Sequence, residues 1–499
     1  MNRQDTAAIS LPNDLGYLPA ALAFVRAIAE YTGFGPGDRR RIELAVEEAA
    51  ANVIQHAFPP GETHSFDIVC RQVAGGLEIC VHDKGVPWDP TLDPDYQPDV
   101  SLDQQTGRGL GEFLIKQLMD RYSYQNLGHD GKQVSLIKYL ATPHIGDTRP
   151  PPDESHTRAG PPPHTGPSPP TVEYDIRRMR PKEAIAVSRA VFDSYGYSYA
   201  GDFVYYPERI AAMNASGQLL SAVAVVKETG EVAGHNALLF SDDLPAELAI
   251  AVTRHEFRGL GIARELGAFL EREAERMGLR GIYTKQVTVH PFTQKFVAKL
   301  GFRDCGLLLA HSPRTLSFKG IADQAAQRNS DVLGIRLFGQ PQQRRLYLPE
   351  QHRDVIVDLY ARLQIPLELL GAGQPPAADQ RTLLKASINS ARSLCEIHLD
   401  QYGSDLVGLL KQELRRVRRE EINLVEMYLR MTDPATPWVS AEAEKLGFFF
   451  TGVLPETRGG DALVMQYFNG IQIDYGDLVI ERPETAALLR YVSERDPNN

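Results

Sequence analysis

A chain of 499 residues, with 43% hydrophobic and 23% charged residues, has the composition of an ordinary globular protein and is too long for a single hydrophobic core. Its formal net charge of −11 argues against a nucleic-acid-binding protein, because phosphate backbones need a clustered basic surface. The four cysteines lack metal-ligand spacing and no apolar run is long enough to span a bilayer, so we expect about three domains in the cytoplasm, without zinc, disulfides or membrane contact.

The first segment that points to chemistry is a helix predicted over RRIELAVEEAAANVIQHAF, in which apolar residues such as Ile42 and Val46 fall on one stripe. Glu48, Asn52 and His56 follow one another at intervals of four residues beside that stripe. A carboxylate and an amide one turn apart suit a Mg²⁺–phosphate site, with the amide oxygen on the metal and the carboxylate free to act as a base. The alternative is a solvated Glu–Asn pair.

The next predicted elements are the strand LEICVHD, which ends in Asp83, then a loop rich in proline and aspartate, the turn TGRGLG with a helix, and the strand QVSLIKYL. A carboxylate at a strand end can accept a hydrogen bond from the exocyclic amine of adenine, and Gly85 would let the backbone approach the ring. The glycine turn leads directly into a helix and so presents unpaired N–H groups to an anion.

These segments resemble the three boxes of the GHKL ATPase superfamily: EEAAAN its N box, DKGVP its first glycine box and GRGLG its second. The compact size and the Asn-x-x-x-His spacing are most similar to the anti-sigma-factor serine kinases of bacterial partner-switching systems, over residues 8–140. One departure is Gly131-Lys132-Gln133, where the family usually has a Gly-Thr step near the adenine.

The resemblance implies a Bergerat-type two-layer α/β sandwich over residues 1–140 that uses ATP and Mg²⁺. It implies a partner that is an anti-sigma-factor antagonist or a sigma factor, with Glu48 as the base that deprotonates a serine of that partner. Asn52 would hold Mg²⁺ and Asp83 would read adenine. The residues expected to bind the nucleotide are Asn52, Asp83, Gly85, Gly107, Arg108, Gly109 and Gly111.

Residues 141–171 contain ten prolines and almost no large apolar side chain, which predicts a disordered, extended tether. Beyond it, HPFTQKFVAKLGFRDCGLLL (residues 290–309) aligns without a gap with TPWVSAEAEKLGFFFTGVLP (residues 436–455), at an offset of 146. Both copies follow one strand-like run and precede another. We therefore expect two related domains, over residues 172–330 and 345–499.

The first of these domains reads β-α-β-β-β-α and carries RGLGIA between the strand ELAIAVT and an amphipathic helix. Its glycines stand where side chains would collide with a pyrophosphate, and its arginine adds a cation. The pattern resembles a GNAT-family acyltransferase over residues 172–317. The resemblance implies a pantetheine between splayed fourth and fifth strands, and a thioester polarised by a backbone amide for attack by an amine. It assigns acetyl-CoA to Arg258, Gly259, Gly261 and Ala263.

The candidate catalytic groups of this domain depart from the family pattern. Val297 stands where the family has a tyrosine acid. His290 replaces the usual asparagine at the start of the following helix, and it could donate a proton or cap the helix. Glu247 at the mouth of the fourth strand is the candidate base, with a solvent-facing glutamate as the alternative.

The repeat offset carries the RGLGIA loop to SDLVGL, where Asp405 and Val407 replace two glycines. A negative charge and a branched side chain would then meet a pyrophosphate. This predicts a degenerate GNAT-like copy without a working phosphate loop.

The sequence thus predicts an α/β (α+β) protein: a Bergerat-type sandwich followed by two GNAT-like α/β domains. The leading hypothesis is a bacterial cytoplasmic signalling transferase that combines an ATP-dependent serine/threonine protein kinase with an acetyl-CoA-dependent N-acetyltransferase. The alternative is a partner-binding switch without catalysis, whose GNAT-like region senses acyl-CoA. The acetyl acceptor amine, the partner's identity and the oligomeric state are left open.

Overall fold

The computed structural model describes residues 6–73, 75–88, 110–140, 172–314, 327–390 and 392–499. The chain divides into two compact units, Met1–Tyr174 and Asp175–Asn499. The predicted tether and the glycine-turn residues Gly107, Arg108 and Gly109 lie outside the described residues. Within the described residues, no helix has the length and apolar character needed to cross a membrane.

The first unit is an antiparallel sheet with helices packed against it. Its strands are β1 (Thr6–Pro12), β2 (Ser65–Val73), β3 (Gly76–Asp83), β4 (Arg121–Asn126) and β5 (Lys132–Tyr139), in the spatial order β1-β2-β3-β5-β4. Its described helices are α1 (Leu18–Thr32), α2 (Pro36–His56) and α3 (Leu110–Leu118). The core joins side chains of the sheet, among them Ile68 and Ile79, to side chains of the helices, which gives the predicted two-layer sandwich.

Helix α2 is the element on which the first site is built. It begins with Pro36 at its first position and carries Asp38 in its first turn and His56 in its last, as the helix dipole favours. Its predicted apolar stripe is buried, which confirms the helical periodicity read from the sequence. On the same helix, buried Glu43 accepts hydrogen bonds from Arg26 of α1 at both carboxylate oxygens, each at 2.6 Å, and this pair fixes α2 against α1.

The second unit is built on one continuous sheet of twelve strands, in the order β15-β16-β17-β19-β18-β11-β12-β10-β9-β8-β7-β6. The bounds are β6 (Tyr174–Arg178), β7 (Leu219–Val226), β8 (Val232–Leu239), β9 (Ala246–Thr253), β10 (Gly281–Val287), β11 (Arg303–Ser312), β12 (Asn329–Leu337), β15 (Leu383–Asn389), β16 (Leu394–Gln401), β17 (Leu424–Arg430), β18 (Phe449–Thr457) and β19 (Gly460–Phe468). A separate parallel pair consists of β13 (Arg344–Leu346) and β14 (Leu367–Leu369).

The helices of this unit are α4 (Ala184–Tyr195), α5 (Pro207–Ser216), α6 (Ile262–Arg276), α7 (Phe292–Lys299), α8 (Arg353–Leu363), α9 (Leu406–Arg419), α10 (Thr436–Lys445) and α11 (Pro483–Ser493). We call residues 175–337 the first copy and residues 344–499 the second copy. The predicted boundary at residue 330 falls inside β12, which pairs with β10 and β11 and so belongs to the first copy.

The two copies repeat the same order of elements. β8, β9, α6, β10, α7, β11 and β12 of the first copy correspond to β15, β16, α9, β17, α10, β18 and β19 of the second. The backbone keeps the offset of 146 in detail: Ala310 (φ 53°) and Glu456 (φ 64°) are left-handed non-glycine residues at equivalent positions. Each lies in a register shift of its strand pair, so the repeat extends to local irregularities.

The two copies meet where β11 pairs with β18, and we call this junction the seam. Gly306 pairs with Gly452, its own repeat equivalent, in antiparallel fashion. Contact between equivalent positions is what a two-fold axis produces, so the copies are related by an internal pseudo-two-fold. The strands cross so closely that a Cβ on Gly452 would lie 2.2 Å from the Gly306 Cα. Gln466 also joins the copies, since it accepts from the Leu309 N–H (2.9 Å) and donates to the Leu309 carbonyl (3.1 Å).

The seam generates a stability prediction. Gly452→Ala places a methyl group against main-chain atoms that no rotamer change can move, so we expect it to lower the free energy of unfolding of the second unit by roughly 1–3 kcal/mol. Gly408→Ala in α9 is the matched control, because no heavy atom lies within 4 Å of its Cβ position. We expect the control to be neutral or slightly stabilising. Scanning calorimetry of the full chain measures both, and equal stability of the two variants would contradict the close crossing.

Candidate functional sites

The first candidate site begins with two side chains one turn apart on α2. Glu48 is half-buried and hydrogen-bonded to the side chain of Asn52, which is exposed. Burial raises the pKa of Glu48 above its usual value, Glu47 adds to the rise, and His56 and Asn52 oppose it. A Cβ on Gly111 would lie 2.0 Å from Glu48 Oε1, so the first turn of α3 lies against this carboxylate. The structure therefore brings three of the predicted residues together.

Asp83 lies at the end of β3 and is buried. Its Oδ1 accepts a hydrogen bond from the Gly85 N–H at 2.8 Å and an ion-paired hydrogen bond from Lys132 Nζ. Lys132 is itself buried, and it faces Asp83 directly in the antiparallel register of β3 and β5. The position that departs from the family pattern is thus the one that occupies the predicted adenine acceptor.

The structure shows a different reason for glycine at position 85 from the one expected from the sequence. A Cβ on Gly85 would lie 2.1 Å from the carbonyl oxygen of Ala57, just beyond the end of α2, and the Val86 N–H donates to the same oxygen at 2.6 Å. The glycine is therefore required by close packing against the α2 terminus, whether or not a base lies beside it.

Helix α2 sets the length of this site. Glu48 contacts the start of α3, and Ala57, nine residues later, contacts the loop that follows Asp83. At 1.5 Å per residue the two ends are separated by about 14 Å, which is the scale of an extended nucleoside triphosphate. Among the described residues, no group of three or more His, Cys, Asp or Glu side chains could hold a metal ion by itself.

The second candidate site lies where β9 and β10 separate. The two strands are parallel and pair only at Ala246–Ile282 and Glu247–Tyr283, after which they diverge. β9 has a bulge that leaves Ile250 with a φ of 58°, a strained conformation for a β-branched residue. The fourth and fifth strands of the first copy are therefore splayed, as expected from the resemblance.

The glycine loop lies between β9 and α6. Gly259 (φ 85°) and Gly261 (φ 82°) are both left-handed, and no heavy atom lies within 4 Å of a Cβ on Gly259. Gly261 is the N-cap of α6 and provides no side-chain cap, so the first-turn N–H groups, including that of Ala263, are available to an anion. Arg258 is exposed beside them, with its Nε 3.3 Å from the Thr253 carbonyl oxygen.

The equivalent loop of the second copy has an aspartate at the position of Gly259. Asp405, the N-cap residue of α9, accepts from the Thr382 N–H at 2.9 Å and pairs with Arg381 at 3.4 Å. The loop therefore carries a negative charge that is held by residues preceding β15. That the second loop does not hold a phosphate stays a prediction.

A cavity of about 450 Å³ extends from the splayed strands to residues of the second copy. Glu247 lines it and accepts hydrogen bonds from Lys285 Nζ (3.1 Å) and the Tyr283 hydroxyl (3.0 Å). Burial alone would raise the pKa of Glu247, but these two partners and Arg392 hold it below its usual value. Glu247, the predicted base, is therefore a charged carboxylate whose charge is balanced by Lys285. It is hydrogen-bonded to both Lys285 and Tyr283.

The structure does not show His290 in either of its two predicted roles. The N-cap of α7 is Pro291, without a side-chain cap hydrogen bond, so the capping alternative is not found. Burial lowers the pKa of His290, and the residue is not among those that line the cavity. Val297, at the expected tyrosine position, does line it, and hydroxyl groups come instead from Tyr195 and Tyr199 on and after α4, which sequence reasoning missed.

Comparison with known proteins identifies two families. Residues 11–138 match the histidine kinase-like ATPase domain, and residues 188–302 match the acetyltransferase (GNAT) family. The chain is 29% identical to the serine-protein kinase RsbW of Bacillus subtilis over 144 residues, which cover 28% of this chain and 88% of the relative. It is 32% identical to the RsbW of Bacillus licheniformis over 125 residues, 24% of this chain and 76% of the relative.

A search of solved structures finds, among others, a GNAT-family N-acetyltransferase from Escherichia coli in complex with CoA. It is 19% identical, with a TM-score of 0.24, and the match covers 34% of this chain and 85% of that one.

The Asp83–Lys132 pair generates a prediction about nucleotide binding. Lys132→Thr frees the carboxylate for an adenine amine and removes the partner that satisfies it when no nucleotide is bound. Because a hydrogen bond to a charged group contributes about 1.5–3 kcal/mol, we expect at least about tenfold tighter binding of ADP by titration calorimetry. We also expect a lower unfolding temperature without nucleotide.

Lys138→Thr is the control for this experiment. Lys138 lies on the same strand, is equally buried and donates to Asp120 at 2.9 Å. We expect this variant to lose stability without a change in ADP affinity. Equal changes in ADP affinity for the two variants, or weaker binding by Lys132→Thr, would show that the Asp83–Lys132 pair does not compete with adenine.

Proposed function

Because the chain belongs to the RsbW family of serine-protein kinases through its histidine kinase-like ATPase domain and also carries a GNAT acetyltransferase domain, we propose that it is a bacterial signalling transferase with two activities. The first domain phosphorylates a serine of a partner protein with ATP. The second unit transfers an acetyl group from acetyl-CoA to an amine. We place both reactions in the cytoplasm.

The observation that carries the kinase proposal is the contact between Glu48 and the first turn of α3. A half-buried carboxylate with a raised pKa is a stronger proton acceptor than an exposed one. It lies where the helix N-terminus favours the negative charge of a phosphate. Glu48 would then take the proton of the serine hydroxyl as that oxygen attacks the γ-phosphate.

The residues present also suit Mg²⁺. Asn52 is exposed one turn from Glu48 and offers a hard amide oxygen, and Mg²⁺ usually takes few protein ligands and completes its shell with water and phosphate oxygens. Bound there, it would neutralise charge on the phosphates. The partner we propose is an anti-sigma-factor antagonist or a sigma factor.

The acetyl-transfer proposal rests on the loop Arg258–Gly261 and the splayed strands beside it. The left-handed glycines and the bare first turn of α6 suit a pyrophosphate, and Arg258 supplies a fixed cation. The bulge at Ile250 lies in the gap between β9 and β10, where a thioester carbonyl would meet backbone N–H groups.

A second candidate function is a switch that binds acyl-CoA without consuming it. It is favoured by Val297 in the expected acid position and by the salt bridge of Glu247 with Lys285. Release of free thiol from acetyl-CoA in the presence of amines distinguishes the two, because a sensor binds the thioester and leaves it intact.

The kinase proposal is tested with proteins captured from a cell extract by the immobilised full-length chain and then incubated with Mg-ATP. We expect phosphoserine in a captured protein by mass spectrometry, and a loss of at least about 100-fold in its rate of formation for Glu48→Gln. Because the base must be ionised, the rate should rise with pH through the pKa of Glu48, at a midpoint above the ordinary value of 4.5.

Glu47→Gln is the matched control. The charge of Glu47 helps to raise the pKa of Glu48, so its removal should move the midpoint to lower pH and leave the plateau rate unchanged. No phosphoserine with the wild-type chain, or an undiminished rate with Glu48→Gln, would refute the assignment.

Acetyl-CoA binding is tested with Gly259→Val. A branched side chain at a φ of 85° is strained and enters the space that a pyrophosphate needs, so we expect affinity to fall by on the order of tenfold or more in titration calorimetry. Gly217→Val is the control, because Gly217 has a φ of 79°, equal free space and a place at the end of α5. It should lose stability to a similar degree and bind acetyl-CoA normally.

A further inference from the structure

A buried histidine–glutamate pair crosses the seam. His311 on β11 and Glu426 on β17 are both almost fully buried, and His311 Nδ1 lies 2.8 Å from Glu426 Oε1. Burial alone would raise the pKa of Glu426, but His311, Lys285 and Gln466 hold it below its usual value, so it is a carboxylate. The carboxylate therefore accepts from the Nδ1–H, and Nε2 is the ring nitrogen that remains for another partner.

The other ring nitrogen has no partner in protein. His311 Nε2 is buried and makes no hydrogen bond to any described residue, although the ring lines the 450 Å³ cavity. A histidine with a purely structural role usually has both nitrogens satisfied, and this chain contains one: His352 contacts Glu444 at 2.6 Å and the Tyr491 hydroxyl at 2.8 Å. His311 has one ring nitrogen without a partner, as buried His235 also has, but the His311 ring lines the cavity and that of His235 does not.

The pair also breaks the pseudo-two-fold symmetry. The repeat offset of 146 places Thr457 at the position of His311, and the Thr457 hydroxyl donates to the Gly460 carbonyl. At this pair of equivalent positions, only the first copy has an imidazole. The dyad is therefore associated with the copy that has an intact glycine loop.

We propose that the cavity is the acetyl-acceptor site, that it takes a small cationic primary amine, and that His311 is its catalytic base, with Glu426 of the second copy as the positioning residue. This inference rests on the proposed acetyl transfer and extends it. It also gives the second copy a function, because the first copy alone lacks Glu426.

The proton and bond changes balance as follows. Nε2 of His311 takes one proton from the substrate ammonium, and the amine nitrogen then forms a bond to the thioester carbonyl carbon of acetyl-CoA. The carbon–sulfur bond breaks, its electron pair leaves with sulfur, and the second proton lost by the amine goes to the thiolate. The products are an acetamide, free coenzyme A thiol and an imidazolium that returns its proton to water.

The charge of the cavity indicates the class of amine. The described residues that line it include five acidic side chains against three lysines and arginines. Lys285 is paired with Glu247 and Lys385 with Asp243, which leaves carboxyl groups such as Asp331 in excess. Burial raises the pKa of Asp331 to about 6, so it is ionised at neutral pH. A negative lining attracts an ammonium group and disfavours a carboxylate on the acceptor.

The test uses the full-length chain, acetyl-CoA and three four-carbon probes: 1,4-diaminobutane, butylamine and 4-aminobutanoate. We expect kcat/KM for thiol release to fall in that order, by at least about tenfold from first to last. Calorimetry of each amine with the chain measures binding independently of turnover. A preference for 4-aminobutanoate would overturn the amine class, and failure of all three to bind or release thiol would overturn the site.

Variants test the base. His311→Gln should lower kcat by about 100-fold or more, abolish the acidic limb of the pH profile and leave amine binding within about twofold. Glu426→Gln should lower kcat and leave KM for the amine within about twofold, because the imidazole loses the partner that orients it. His352→Gln breaks a buried His–Glu pair outside the cavity, and we expect it to cost stability without a change in kcat or in the limb.

Three results would overturn the assignment of His311: an undiminished kcat in His311→Gln, an acidic limb that persists in it, or a limb that disappears in Glu247→Gln instead. A different result would refute the proposed function. If the chain does not bind acetyl-CoA, the acetyltransferase proposal falls and this inference with it, whereas a chain that binds acetyl-CoA but gives one of these results refutes the inference alone.

Discussion

The second unit depends on the close approach of two glycines. Gly306 and Gly452 bring the last strands of the two copies into one sheet, because neither residue has a side chain to hold the backbones apart. One hydrophobic cluster then contains residues of both copies, from Leu307 and Leu333 to Val453 and Val464, beside a second cluster within the first copy. The two copies are therefore one folding unit, although each repeats the same order of elements.

The same crossing brings polar side chains of the two copies together at the seam. Because the copies meet through equivalent positions, β17 of the second copy comes within hydrogen-bonding distance of β11 of the first. Symmetry in the backbone does not extend to the side chains. One loop has Gly259 where the other has Asp405, and one end of the seam has His311 where the other has Thr457. The duplicated scaffold thus supports one site that neither half contains alone.

Local features were the ones that sequence reasoning predicted well. The stripe of α2, the spacing of Glu48 and Asn52 and the glycine turn before α6 depend on residues a few positions apart. The interpretation of Gly85 was incomplete, because its close neighbour is Ala57, 28 positions earlier. The His311–Glu426 contact spans 115 positions and requires the seam, so no local sequence pattern predicts it. The Asp83–Lys132 contact lay between these cases, since antiparallel pairing of two predicted strands would have aligned the residues.

The Asp83–Lys132 contact affects the stability of the first domain when no nucleotide is bound. Lys132 balances the buried charge of Asp83 from within, so the ligand-free domain contains no uncompensated carboxylate at the end of β3. A ligand that needs the Asp83 carboxylate would have to displace this internal cation. The folded domain should therefore not need a ligand to compensate the buried charge of Asp83.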